Sequence, residues 1–149
     1  MPVSTAAVKP KAGFETVFTV SEYYDGPRGG LASFHGVPHI YECIFDEKSE
    51  VYSDWYLLMP VGPELLTAAM INWKIFLKWR AAFDAGQTTI DTHPALPEDK
   101  PRYQENRKTL EQAIALAKPQ ALRVRGEFDI LGEPTPRRDV HTRWQVKWG

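Results

Sequence analysis

Between Phe14 and Met59 the chain is a succession of β-forming segments whose connections are too short to hold a helix, and this confines its first part to antiparallel pairing. Phe14 to Tyr24 carries Phe14, Thr16, Phe18 and Val20 on one parity and Val17, Thr19 and Tyr23 on the other, the pattern of a strand covered in part on both faces. Leu31 to Phe34, Val37 to Phe45 and Val51 to Met59 follow as further strands. His35-Gly36 stands where a two-residue hairpin requires positive φ, which both residue types tolerate, and Asp46 to Glu50 is a polar turn. A four-strand meander results.

Pro60 and Pro63 end the sheet. Pro63 and Glu64 suit the first turn of a helix, where a missing N–H costs nothing and a carboxylate meets the positive end of the dipole. That helix is expected to run to about Ala85 and stop at Gly86, with apolar residues around most of its circumference. A polar, proline-bearing connector leads to Asp99, a candidate cap for a second helix from Lys100 to Lys118 with one narrow apolar stripe. Ala121 to Leu131 alternates strictly, Leu122, Val124, Phe128 and Ile130 against Arg123, Arg125, Glu127 and Asp129. After a turn at Gly132 to Pro136, Trp144, Val146 and Trp148 alternate in a last strand, giving a C-terminal hairpin. The expected fold is α+β, with a curved antiparallel sheet or incomplete β-barrel and the helices on one side or end. Residues 1–13 read as a flexible tail and residues 14–149 as one domain.

The chain's 149 residues are 43% hydrophobic and 25% charged, near globular averages. A net charge of -1 makes nucleic acid an unlikely partner, because a strong basic excess supplies most non-specific affinity. Met1 to Gly13 has no apolar core of a signal peptide, and the most apolar stretch is interrupted by Lys74, Lys78 and Arg80, so no membrane association is expected. Cys43 is the single cysteine, which rules out an intrachain disulfide and favours a cytoplasmic location.

The candidate binding residues centre on Tyr23-Tyr24-Asp25-Gly26-Pro27-Arg28-Gly29-Gly30, read as a turn that also carries two aromatics, a carboxylate and a guanidinium. Tyr41, Glu42 and Tyr56 are expected beside it. Glu42 lies between Ile40 and Ile44 on one parity; were that face the core, it would need a cation, with Arg28 and Arg80 as candidates. His35, His39 and Cys43 recur every four residues without a Cys-x-x-Cys or His-Glu-x-x-His pair, so neither a metal centre nor a cofactor is expected. The loop lacks a phosphate-binding ending, and no serine sits in a nucleophile elbow.

The leading expectation is a noncatalytic module binding a small molecule or a protein through Tyr23, Tyr24, Asp25, Arg28, Tyr41, Glu42 and Tyr56. The first alternative is a small-molecule enzyme with Glu42 or Asp25 as general base and Arg28 holding an anion. The second is a structural homo-oligomer joined through the 63–85 helix.

Overall fold

The computed structural model describes residues 8–132 and 140–149. Six strands, β1 (Glu15–Tyr23), β2 (Pro27–Phe34), β3 (Val37–Asp46), β4 (Val51–Pro60), β5 (Leu122–Ile130) and β6 (Trp144–Trp148), run in sequence order around a closed antiparallel barrel. Helices α1 (Pro63–Asp84) and α2 (Lys100–Ala117) are inserted between β4 and β5. The α+β class, the meander and the C-terminal hairpin are as expected. The sheet is closed, however, not incomplete: Glu15 pairs with Val146 and Thr16 with Gln145, joining the first strand to the last. Lys11 strengthens this seam, its amide donating to Gln145 Oε1 at 3.0 Å. Closure leaves no sheet edge to be covered. Most of the expected turn at Gly132 to Pro136 lies outside the described residues.

Alternation decides what fills the barrel. His39, Tyr41 and Cys43 of β3 point inward, as do Tyr56 and Leu58 of β4, Ala32 of β2 and Val146 of β6. A six-stranded barrel is narrow enough for side chains to fill, and here rings fill much of it. Trp148 meets Tyr56 at 5.6 Å and Phe128 at 5.7 Å, both edge to face, a geometry that adds about 0.5–1.5 kcal/mol per pair beyond burial. Gly126 makes room for this cluster: a Cβ there would fall 2.6 Å from the Trp148 ring and 2.9 Å from that of Tyr56.

β2 begins earlier than the glycines suggest. Pro27 to Gly30, expected as part of the turn, is already strand, so the connection from β1 is only Tyr24-Asp25-Gly26. Gly30 is there for proximity. With φ at +157°, it lies so near β1 that a Cβ would stand 2.2 Å from Thr19 O and 2.9 Å from the Tyr41 hydroxyl. That closeness lets Tyr41 Oη, from two strands away, donate to Thr19 O at 2.9 Å while Leu31 N donates to Thr19 Oγ1.

The turn at His35-Gly36 has the expected positive φ at both residues, 51° and 77°. Gly86, at φ 72°, follows the end of α1. Asp99 does not cap α2: its backbone is already helical, and its carboxylate turns aside to Lys78 Nζ at 3.0 Å. Ile75, Trp79 and Ala82 of α1 are buried within the chain. Asn72 ties the helices together, donating to Tyr103 O and accepting from Asn106 Nδ2. No helix of the described residues is long and apolar enough to cross a membrane.

Candidate functional site

A cleft of about 430 Å³ separates the outer wall of the barrel from the helical layer. Its barrel side is built from β1, β2 and β3, where Glu22, Gly29, Gly30, Ile40 and Glu42 line it. The sequence dictates this side through parity: with Tyr41 and Cys43 committed to the interior, Ile40 and Glu42 must face out. The wall is thin at Gly29-Gly30, and there the buried Tyr41 also reaches the lining. Glu22 folds over the same spot, its carboxylate 3.1 Å from where a Cβ of Gly29 would be.

The opposite side is helical. Ala69, Trp73 and Phe76 come from α1, Tyr103, Arg107, Leu110, Glu111 and Ile114 from α2, and His93 and Pro94 from the connector. Their spacing follows the helical repeat, so one face of each helix looks onto the cleft. Trp73 and Phe76 stand 5.8 Å apart, and His93 meets Phe76 edge-on. Burial holds the Tyr103 hydroxyl above its ordinary pKa, so it lines the cleft as a neutral phenol at pH 7.

Charge across the cleft is uneven. Glu42 meets Lys118 Nζ at 2.9 Å, joining the end of α2 to β3 across 76 residues of chain, and Arg107 is held by Glu111 at 2.9 Å within α2. Among the described residues no cation forms an ion pair with Glu22. Neither of the expected partners reaches Glu42. Arg80 pairs with Asp84 one turn along α1. Arg28 donates to the carbonyls of Tyr24 at 2.6 Å and Asp25 at 3.0 Å, lies 3.8 Å from Cys43 Sγ, and stacks over the Tyr52 ring at 4.7 Å.

Of the residues singled out from the sequence, Tyr41 and Glu42 line the cleft, together with the Gly29-Gly30 end of the motif. Tyr23 and Tyr24 are exposed at 51% and 70% and lean on Trp144 and Tyr52. Asp25 occupies the turn at φ 53°. Tyr56 is inside the barrel, its hydroxyl donating to Pro27 O at 3.0 Å, and burial raises its pKa far above the ordinary value. The helical residues of the cleft carried no distinguishing motif. The apolar face of α1 was the available signal, and it reads equally well as packing.

The remaining candidates have local partners. Cys43 donates to Ser53 O at 3.1 Å, and burial pushes its thiol up from its ordinary value, which makes it a poor nucleophile. His39 Nδ1 lies 2.8 Å from Val37 O. Among the described residues no group of three or more His, Cys, Asp or Glu is gathered as metal ligands would be.

Compared with known proteins, the chain matches no family model, no curated protein and no solved structure.

Proposed function

We propose that this protein is a noncatalytic binding module for a small organic molecule, held in the cleft between the barrel wall and the α1–α2 layer. The observation that carries the reading is the cleft's construction. Its volume of about 430 Å³ falls in the range of small-ligand sites, and it combines aromatic and aliphatic walls with a few polar groups at defined places. Trp73, Phe76, Ile40, Leu110 and Ile114 offer apolar area; Glu22, Glu42 and Tyr103 offer directional contacts.

In this reading the Tyr23–Gly30 motif contributes through its last two residues, whose missing side chains open the wall. Binding without chemistry is preferred to the enzyme because that alternative needs Arg28 to hold an anion beside Glu42 or Asp25, and the Arg28 guanidinium is turned away from Glu42 and engaged with the Tyr24 and Asp25 carbonyls. Native mass spectrometry of the protein as purified tests the reading: a retained small molecule, lost when Ala69→Trp fills the cleft, supports it.

A further inference from the structure

The cleft's charge points to the chemical class of its occupant. We propose that it selects small amphipathic cations, an apolar ring-sized body against Trp73 and Phe76 with a protonated amine directed to Glu22 and Glu42. This deepens the binding reading above and rests on it.

Among the described residues, three carboxylates, of Glu22, Glu42 and Glu111, line the cleft against one guanidinium, that of Arg107, which Glu111 already holds. Lys118 offsets part of the Glu42 charge through Oε1, while Glu22 has no ion-pair partner among the described residues. Glu22 and Glu42 belong to the barrel side, β1 and β3, whereas the rings belong to the helical side. An amine entering between them meets carboxylates on one side and aromatic rings on the other, and a carboxylate or a ring face attracts a cation. A carboxylate or phosphate entering the same space would meet repulsion from Glu22, and to reach Arg107 or Lys118 it would have to displace Glu111 or Glu42, adding a second unpaired carboxylate beside it. A neutral ligand would gain the apolar contacts alone. The side chains of Glu42 and Lys118 are 37% and 48% exposed, so water screens the pair and an incoming amine competes with Lys118 at low cost.

The test uses 2-phenylethylamine, 2-phenylethanol and phenylacetate, three probes with the same ring and spacer that are cationic, neutral and anionic at pH 7. Their binding to the full chain is followed by amide chemical shifts. Expected is amine over alcohol over carboxylate, the amine binding about tenfold tighter than the alcohol, as one charge-assisted contact supplies. In the Glu22→Gln, Glu42→Gln double variant the preference for amine over alcohol collapses, and an amide spectrum that keeps the wild-type dispersion shows that the variant is folded. An alcohol that binds wild type as tightly as the amine, or a carboxylate that binds tighter, overturns cation selection but leaves the binding reading standing. An amine preference that survives the double variant also overturns it. Absence of cleft shifts with all three probes overturns the binding reading, and this inference with it.

Discussion

Arg28 and Glu42 stand on opposite sides of the barrel wall. Gly29 pairs with Glu42 across β2 and β3, so Arg28, one residue earlier, takes the parity of Cys43 and turns to the interior, while Glu42 faces the helices and Lys118. Neither an Arg28–Glu42 pair nor an Arg28–Asp25 side-chain pair forms. The guanidinium instead fastens the β1–β2 turn through the carbonyls of Tyr24 and Asp25.

The thin wall at Gly30 yields the sharpest stability prediction. Gly30→Ala forces a Cβ against Thr19 O and the Tyr41 hydroxyl, and is expected to destabilise by about 1–3 kcal/mol in urea unfolding. Tyr41→Phe removes one buried hydrogen bond and is expected to cost about 0.5–1.5 kcal/mol. The double variant should lose less than the sum, because the phenylalanine withdraws one of the atoms the new methyl meets. Strict additivity contradicts this account of Gly30.

Glu15 supplies a pH dependence. Its carboxylate accepts from His35 N, Gly36 N and Ser33 Oγ, clamping the β2–β3 turn to β1. Burial acts to raise its pKa, but the Gly36 and His35 amides and the Ser33 hydroxyl outweigh it, so the carboxyl sits below its ordinary 4.5. A lower value in the folded than in the unfolded state means that the contribution is complete above 4.5 and lost as pH falls through the folded value. Urea midpoints should therefore show Glu15→Gln less stable than wild type at pH 7, with the gap closing below pH 4.5. A gap independent of pH contradicts the assignment.

Cys43 should be inert in the native state. Its thiol is buried, its proton is given to Ser53 O, and its pKa is raised by burial. Labelling by a thiol reagent at pH 8 is expected to be much slower than in the urea-unfolded chain, and equal rates would place Cys43 at an accessible surface.

Local features of the fold were legible because local chemistry decides them. His35-Gly36 forms its turn because both residues accept positive φ, and Val124 and Phe128 reach the core because β5 alternates. Closure was not legible, since it rests on Glu15 finding Val146 across nearly the whole chain, and no local pattern encodes that register. The glycines of Gly29-Gly30 misled for a physical reason: a missing side chain serves a turn and a close approach equally, and only the neighbouring strand reveals which. Asp99 likewise has the side chain of a cap, yet Lys78 competes for it from α1. Glu42 stood out from its apolar neighbours, but its partner and the rings facing it come from helices that return to the wall after long excursions.

The central claim is that the cleft holds a ligand, and amide chemical-shift mapping with 2-phenylethylamine tests it most directly. Shifts should gather at Ile40, Glu42, Ala69, Trp73, Leu110 and Ile114 and vanish in Ala69→Trp, whose indole occupies the same space. Shifts gathered instead at Tyr23 to Gly26, or unchanged by Ala69→Trp, would contradict the account.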